Sequence, residues 1–304
     1  MIVQVEVSTR CQLRCRMCPK NVFADEWIEA DMDFDTFRRI PFERFDYVHL
    51  QGWGEPLLNP LIGDMVDFVR ERGCKVGLTT NGLLLKEFDL PLDRVVVSLA
   101  SPYADRNVKL RGGKFEDIVE GIEKYKASVA VIMMKSNVMD LPAMVEFCKE
   151  HGVPELILDN LDYVPTKELE DEAIFLTGYG REYVRRAEEM AERLGVKVYV
   201  RPLEMEEALA CAEYKSCLVT FDGKLSPCVY AHLPTKSDRI VRVFKGEVVK
   251  VKKVYFGDAW DEKAWKRYAE FRRVFEKRLS YIPVLTDLPP LPEVCRTCYK
   301  AYSI

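Results

Sequence analysis

Three cysteines in one short run constrain this chain more than any other feature of its sequence. Cys11, Cys15 and Cys18 follow the first apolar stretch, residues 2–7, with the spacing C-x3-C-x2-C. Thiolates this close together can wrap one soft metal centre, and iron–sulfur clusters and zinc both prefer thiolate ligands. A cubane cluster has four irons, so three protein thiolates leave one iron open to another ligand. The spacing therefore favours a loop that holds an iron–sulfur cluster with one reactive iron.

A zinc knuckle and a disulfide framework are the two alternatives for these cysteines. A structural zinc site is normally closed by a fourth Cys or His nearby, but the chain's histidines, His49, His151 and His232, are all distant in sequence. Disulfide frameworks are typical of short secreted chains, whereas this chain has 304 residues and no export pattern at its amino end. The open cluster is therefore the favoured interpretation.

Composition and charge exclude several classes of protein. The hydrophobic share is 48% and the net charge is −4, and no apolar run approaches the roughly 18 residues of a membrane span. We therefore expect a globular protein of the cytoplasm, with no membrane segment and no general attraction to nucleic acid. In a reducing compartment, the ten cysteines indicate metal ligation rather than cross-links.

The first two thirds of the chain alternate between apolar strand patterns and helical patterns. Strands are predicted at residues 2–7, 47–51, 75–80, 94–99, 129–134 and 155–158. Repeated β–α units of this kind form a parallel sheet with right-handed crossovers. Six units predict an α/β fold with a partial (β/α)6, TIM-like barrel, and such barrels carry their chemistry at the carboxyl ends of the strands.

The alternation ends near residue 203, where Arg201-Pro202 indicates a boundary. We predict a barrel domain over residues 1–203 and a small, cysteine-ligated α+β domain over residues 204–304. Asp222-Gly223 is a strong signal for a β-hairpin in the second domain. The proline-rich run at residues 283–292 predicts an extended loop.

Two motifs resemble those of the radical S-adenosylmethionine (SAM) superfamily. Residues 11–18 read C-x3-C-x-M-C, and residues 52–56 read G-W-G-E-P. In that family the three cysteines hold a 4Fe–4S cluster, and the amino and carboxylate groups of SAM chelate the fourth iron. The resemblance implies reductive cleavage of SAM to a 5′-deoxyadenosyl radical that abstracts hydrogen from a substrate. A cluster with one open iron suits such a bidentate ligand.

The turn at residues 52–56 departs from the family's G-G-E-P pattern, because Trp53 replaces the second glycine and Gly54 follows it. Small residues let backbone carbonyls approach the SAM ammonium closely, and Glu55 can add a charge-assisted contact. A plain strand-to-helix turn is the alternative. The resemblance therefore implies that Gly52, Gly54 and Glu55 position the amino group of SAM.

Four further residues occupy positions that the family uses to bind SAM. They are Met17 within the cysteine run, Asn81 in a T-N-G turn, Ser98 at the end of the fourth strand and Lys135 after the fifth. The resemblance implies that Met17 touches the adenine, that Ser98 contacts the carboxylate or the ribose, and that Lys135 contacts the carboxylate. The alternatives are core packing for Met17, a plain turn at Asn81 and solvated strand ends for the other two.

A second group of cysteines lies beyond residue 204. Cys211, Gly223 and Cys228 resemble the opening of the SPASM extension of this superfamily, and Cys295 and Cys298 follow far downstream. The full extension has more cysteines, so a shortened, twitch-like version with one auxiliary cluster is implied. The expected ligands are Cys217, Cys228, Cys295 and Cys298. Cys211 is either a substitute ligand or an uninvolved neighbour, and a zinc site on the same thiolates is the alternative.

The leading hypothesis is a radical SAM enzyme with one catalytic and one auxiliary 4Fe–4S cluster. The extension suggests a peptide or protein side chain as substrate, but a chain that begins at its first strand leaves no room for a leader-peptide module, so a cofactor precursor is equally expected. The runs 51–56 and 298–302 also resemble maturases of tungsten-cofactor oxidoreductases. A reduced ferredoxin or flavodoxin is the expected electron donor. The rival hypothesis is a non-catalytic iron–sulfur or zinc protein that transfers electrons or serves as a scaffold.

Overall fold

The structure of the protein, a computed structural model, describes residues 1–281 and 288–304. Half of the loop predicted at residues 283–292, residues 283–287, therefore lies outside the described residues. The strands are β1 (Ile2–Val5), β2 (Tyr47–Leu50), β3 (Lys75–Thr80), β4 (Arg94–Leu99), β5 (Ser128–Met133), β6 (Leu156–Asn160), β7 (Val198–Val200), β8 (Ser216–Val219), β9 (Lys224–Ser226), β10 (Arg239–Phe244), β11 (Glu247–Lys252) and β12 (Gly257–Asp258). The α-helices are α1 (Pro19–Val22), α2 (Phe34–Arg38), α3 (Ile62–Glu71), α4 (Ala104–Arg111), α5 (Phe115–Tyr125), α6 (Leu141–Glu150), α7 (Lys167–Glu170), α8 (Ile174–Thr177), α9 (Arg181–Leu194), α10 (Glu262–Leu279) and α11 (Glu293–Arg296).

One large, mostly parallel sheet forms the centre of the molecule. Strands β1 to β6 lie side by side in chain order, each parallel to the next, as the six predicted β–α units require. β7 continues the sheet in parallel beyond β6. The described part of the sheet is open, with β7 at one edge and β12 at the other. The predicted α/β class and partial barrel are therefore confirmed.

The sheet continues into the cysteine-rich part of the chain. β8 pairs in parallel with β1, so that Val3 lies opposite Cys217. β8 and β9 form the antiparallel hairpin that Asp222-Gly223 predicts, and Gly223 has the positive φ of 79° that such a turn favours. β10 and β11 form a separate antiparallel pair. Strands on both sides of residue 203 thus share one sheet, and the boundary placed there stays a prediction.

Side-chain alternation along the strands separates an apolar layer from a polar cavity. In β2, Val48 and Leu50 are fully buried and belong to the main hydrophobic core, whereas Tyr47 and His49 are only partly buried. Successive side chains of a strand point to opposite faces. His49 in β2, Thr79 in β3 and Ser98 in β4 therefore face away from this core. They line the cavity inside the curved sheet.

Helices cover the outer face of the sheet. The longest, α10, is capped at its amino end by Asp261, whose carboxylate accepts a hydrogen bond from the Lys263 backbone N–H at 2.9 Å. Its apolar side chains, including Trp265 and Tyr268, join the main core. Within the described residues, no helix combines the length and apolar character needed to cross a bilayer.

Candidate active site

The three cysteines of residues 11–18 lie on a loop that leaves the carboxyl end of β1. The Cys18 backbone N–H donates to the Cys15 carbonyl at 3.0 Å, which closes a tight turn between these two ligand candidates. Lys20 Nζ donates to the Cys11 carbonyl at 2.8 Å, and Asn21 Nδ2 donates to the Cys15 carbonyl at 2.6 Å. The loop is therefore shaped by its own hydrogen bonds, and all three thiols are partly exposed beside a cavity of about 240 Å³.

Burial controls the ionisation of Cys11 and Cys18. It raises the pKa of Cys11 and raises the pKa of Cys18 to about 12. The neighbouring thiols raise both values further, because thiolates close together repel each other. Thiols in this setting become thiolates when a metal supplies the compensating positive charge. This donor set therefore fits a metal cluster.

The loop at residues 52–56 is pressed against the segment that leads to Cys11. A Cβ added at Gly54 would lie 2.3 Å from the Ser8 carbonyl oxygen, so only glycine fits there. The next backbone N–H, from Glu55, donates to the Arg10 carbonyl at 2.7 Å. Glycine at this position thus brings the loop and the cysteine run to the same side of the cavity.

The Glu55 carboxylate joins the ends of two strands. It is almost fully buried and accepts hydrogen bonds from the Thr80 hydroxyl at 2.7 Å, the Asn81 backbone N–H at 2.7 Å and the Leu57 backbone N–H at 3.1 Å. Burial raises the pKa of Glu55, and these three donors oppose that rise. The carboxylate therefore holds the loop onto the end of β3 and also lines the cavity.

Asn81 connects the T-N-G turn to the cysteine run. Its Nδ2 donates to Gln12 Oε1 at 3.1 Å and lies 3.7 Å from the Cys11 sulfur. Its Oδ1 accepts from the Leu83 backbone N–H at 3.0 Å, which fixes the turn. Of the residues predicted in the barrel, only Lys135 is not among those that line this cavity. Met17 lines it and also packs in a hydrophobic cluster with Leu110.

Arg111, which sequence reasoning missed, lines the cavity, whereas Lys135 is not among the lining residues. Arg111 ends α4, is only 9% exposed and lines the cavity beside the cysteines. Its Nε has no hydrogen-bond partner among the described residues, which is costly for a buried charged group. Its carbonyl oxygen lies 3.6 Å from the Cys15 sulfur. A buried guanidinium with an unused donor is suited to an anionic ligand.

A second, deeper cavity of about 750 Å³ continues into the interior of the curved sheet. Ser98, Arg111, Asp162 and Tyr230 line both cavities. The Asp162 carboxylate accepts from the Tyr230 hydroxyl at 3.1 Å and pairs with Lys300 Nζ at 2.6 Å. A ligand at the cysteine loop and a second molecule in the sheet interior would therefore be neighbours.

A second set of cysteines lies beyond residue 204, where Cys228 and Cys295 share a hydrophobic cluster and the Cys298 backbone N–H donates to the Cys295 carbonyl at 3.1 Å. Burial raises the pKa of each of Cys211, Cys228, Cys295 and Cys298, to about 12 for Cys211. The pKa of Cys228 is raised further by Cys211, Cys295 and Cys298, so these four thiols form one candidate set. Among residues 1–281 and 288–304, no three His, Cys, Asp or Glu side chains already stand close enough to hold a single metal ion.

Cys217 does not join this group. It lies on β8 opposite Val3, is fully buried and belongs to the main apolar core. Burial raises the pKa of Cys217 to about 12, and the charges of Arg272 and the amino terminus oppose that rise. The parallel pairing with β1 fixes which way this side chain points, and the cysteine spacing alone carries no such information.

A buried arginine accompanies the four clustered thiols. Arg242 is 3% exposed and donates through Nη2 to the Thr297 hydroxyl at 3.0 Å. Its Nε and Nη1 find no partner among the described residues. Its charge opposes the burial that raises the pKa of Cys295 and Cys298. Thiols beside an unsatisfied cation fit an anionic metal–thiolate cluster.

The comparisons with known proteins agree with this geometry. Residues 5–144 match the model of the radical SAM superfamily. A tungsten-containing aldehyde ferredoxin oxidoreductase cofactor-modifying protein of Pyrococcus furiosus is 29% identical, covering 93% of this chain and 85% of the relative. A probable GTP 3',8-cyclase of Methanocaldococcus jannaschii is 28% identical over 75% of this chain and 84% of its own length.

Two solved structures share the fold. Native anSMEcpe with bound S-adenosylmethionine superposes with a TM-score of 0.67 and 15% identity, over 99% of this chain and 88% of that one. Streptococcus suis SuiB bound to S-adenosylmethionine gives a TM-score of 0.64 and 16% identity, over 99% and 71%. The matched region, residues 5–144, contains the cysteine loop, the 52–56 loop and Arg111. Over residues 5–144 the chain is therefore similar to the radical SAM superfamily.

Proposed function

We propose that this protein is a radical SAM enzyme in which Cys11, Cys15 and Cys18 hold a 4Fe–4S cluster and SAM binds its open iron. When bound, the cluster and SAM supply reductive cleavage to methionine and a 5′-deoxyadenosyl radical, which abstracts hydrogen from the substrate. One observation supports the proposal: one cavity is lined by the three thiols, residues 52–55 and the buried Arg111 guanidinium, whose Nε has no partner among the described residues.

The chain's own residues have distinct tasks in this proposal. The backbone of Gly52 and Gly54 accepts hydrogen bonds from the SAM ammonium, and Glu55 holds the loop onto β3. Arg111 pairs with the SAM carboxylate, since the forked donors of a guanidinium match a carboxylate better than the ammonium of a lysine would. The remaining candidates are assigned by position alone: Asn81 orients the cysteine run, Ser98 donates to the carboxylate or ribose, and Met17 lies against the adenine.

The second cysteine group is proposed to hold an auxiliary 4Fe–4S cluster. Neighbouring thiols and the Arg242 charge support Cys211, Cys228, Cys295 and Cys298 as its ligands. Four thiolates close the coordination of such a cluster, so it would carry electrons rather than bind SAM. Arg242 favours the reduced, more negative state by placing a positive charge beside it.

The substrate is proposed to be a cofactor precursor. The Pyrococcus furiosus relative, which covers 93% of this chain, is named a cofactor-modifying protein, which favours this class. A peptide or protein side chain is the second candidate, because SuiB has been solved with its precursor peptide SuiA. A reduced ferredoxin or flavodoxin as electron donor, and a cytoplasmic location, complete the proposal.

Anaerobic reconstitution tests the function directly. The protein is loaded with iron and sulfide, reduced with dithionite and mixed with SAM, and 5′-deoxyadenosine is measured by chromatography. We expect 5′-deoxyadenosine from the wild-type protein and none from Cys15→Ala. A protein that binds iron but forms no 5′-deoxyadenosine, with no change in its electron paramagnetic resonance signal on addition of SAM, would be the non-catalytic iron–sulfur protein instead.

A further inference from the structure

Trp53, the residue that breaks the G-G-E-P pattern, joins the 52–56 loop to the turn that follows an auxiliary cysteine. Its indole Nε1–H donates to the His232 carbonyl at 2.9 Å and lies 3.3 Å from the Val229 carbonyl. Both carbonyls belong to one 3-10 turn, Val229–Ala231 with His232 as its cap, and Cys228 immediately precedes it. The indole therefore contacts both ends of a turn that directly follows Cys228, a proposed cluster ligand.

A buried carboxylate adds a second link between the same two segments. Glu6 is fully buried. Its Oε1 accepts from the Trp53 backbone N–H at 2.9 Å, and its Oε2 lies 2.8 Å from His232 Nε2. A Cβ at Gly52 would lie 2.3 Å from Glu6 Cγ, so the loop packs directly on this side chain. The backbone and the side chain of Trp53 are thus both tied to His232, one through Glu6 and the other directly.

Aromatic rings fill the space between the cavity and the auxiliary thiols. The Trp53 ring meets Tyr163 edge to face at a centroid distance of 5.1 Å and Tyr230 at 6.3 Å. These three residues line the first cavity, and they share a hydrophobic cluster with Cys228 and Cys295. One packed group of side chains therefore forms the wall of the cavity and contacts the auxiliary cysteines.

We propose that Trp53 and His232 are positioning residues through which the auxiliary cysteine group sets the affinity of the cavity for SAM. This inference rests on the proposed function, because it takes SAM as the ligand of the 52–56 loop. Ligation of Cys228 fixes the start of the 229–232 turn, and the turn then holds the loop through the indole and through Glu6. An unligated Cys228 frees the turn, and ordering the loop around SAM costs more conformational entropy.

Coupling of this kind is reciprocal. If auxiliary ligation raises the affinity for SAM, then SAM must stabilise the ligated arrangement of the 229–232 turn by the same factor. One neutral hydrogen bond changes an equilibrium by about two- to tenfold. We therefore expect an effect of about fivefold on the SAM dissociation constant, since the indole bond is the only part of the link that Trp53→Phe removes.

Trp53→Phe tests this link because it keeps an aromatic ring and loses the N–H donor. Trp265→Phe is the control: its indole lies on α10 and also donates to a backbone carbonyl, that of Ala259 at 2.7 Å, but Trp265 does not line the cavity. The SAM dissociation constant of the reconstituted enzyme is measured by calorimetry at equal iron content. Trp53→Phe should weaken binding about fivefold, and Trp265→Phe should leave it unchanged.

A double-mutant cycle separates positioning from general damage. Cys228→Ala should weaken SAM binding by a similar factor, with Cys148→Ala, which removes a buried thiol of α6, as its control. In the Cys228→Ala background, Trp53→Phe should add little, because the turn is already free. Hydrogen exchange supplies a readout without catalysis: SAM should slow exchange at residues 229–232 in the wild type and not in Trp53→Phe.

The outcomes distinguish this inference from the proposed function. A wild-type protein that binds no SAM would overturn the proposed function and the inference with it. A wild type that binds SAM, with equal affinity in Trp53→Phe, overturns the inference alone. If Trp53→Phe fails to fold, the Cys228→Ala arm decides: undiminished SAM affinity after loss of the auxiliary cluster contradicts the coupling.

Discussion

The two cysteine groups of this protein are built in opposite ways. Cys11, Cys15 and Cys18 come from one loop, lie beside a cavity and have no fourth thiol close in sequence. The second group is drawn from three separate parts of the chain, and the pKa values of Cys211, Cys228 and Cys295 are each raised by other thiols of the group. In the proposed clusters, three thiolates from a local run beside a cavity would leave a coordination position for an outside ligand, whereas four thiolates would close the second site. On this proposal the reactive cluster is the one that the protein leaves incompletely ligated.

The largest expected effect comes from breaking the open site. Cys15→Ala should abolish 5′-deoxyadenosine formation and remove about four irons per chain, while the auxiliary iron stays. Cys298→Ala should also remove about four irons but leave measurable SAM cleavage. Iron analysis and chromatography of 5′-deoxyadenosine check both results. SAM cleavage that survives in Cys15→Ala, or disappears equally in both variants, would contradict this division of labour.

The ligand set of the closed site gives the next test. Cys211→Ala should lose about as much iron as Cys298→Ala, because both thiols lie in the clustered group. Cys217→Ala is the matched control and should keep its iron, since its side chain lies in the apolar core. Iron counting after anaerobic reconstitution decides. Iron loss in Cys217→Ala with none in Cys211→Ala would restore the set that the sequence predicts.

Arg111 and Lys135 offer a matched pair at the open site. Removing a charge-assisted hydrogen bond costs about 1.5–3 kcal/mol, so Arg111→Gln should weaken SAM binding about ten- to a hundredfold. Lys135→Gln should change it less than about twofold, as expected for a charge outside the cavity. Calorimetry with reconstituted protein measures both. A larger loss in Lys135→Gln than in Arg111→Gln would return the carboxylate contact to Lys135.

Local patterns predicted much of the fold and of the open site. The six strands and their order follow from apolar runs that alternate with helical periods, which depend only on neighbours in sequence. Asn81 and Ser98 were found because the carboxyl ends of parallel strands meet at one edge. The cysteine run was found because all its ligand candidates lie within residues 11–18.

The residues that sequence patterns could not assign owe their positions to tertiary packing. Arg111 ends a helix in a run without any motif, and only the packing of α4 brings it to the cavity. Cys217 and Cys211 have equally plausible spacings, and the pairing of β8 with β1 sends Cys217 into the core. The indole of Trp53 reaches a turn nearly 180 residues away in the chain, a contact that no local pattern contains.

The smallest expected effect is on the pH dependence of folding stability. Its sign distinguishes a buried core thiol at Cys217 from a metal ligand. Burial holds the pKa of Cys217 at about 12, above its usual value of 9.0. Its contribution to stability is therefore complete below pH 9 and falls by about 1.4 kcal/mol per pH unit from there toward pH 12, because the unfolded chain loses the proton first. Cys217→Ala, less stable by about 1 kcal/mol near pH 8 from lost core packing, should approach the wild type by about pH 10. Thermal unfolding of both proteins from pH 7 to 10 measures the difference. A ligating Cys217 would have a lowered pKa instead, and the stability gap would widen between pH 7 and 9.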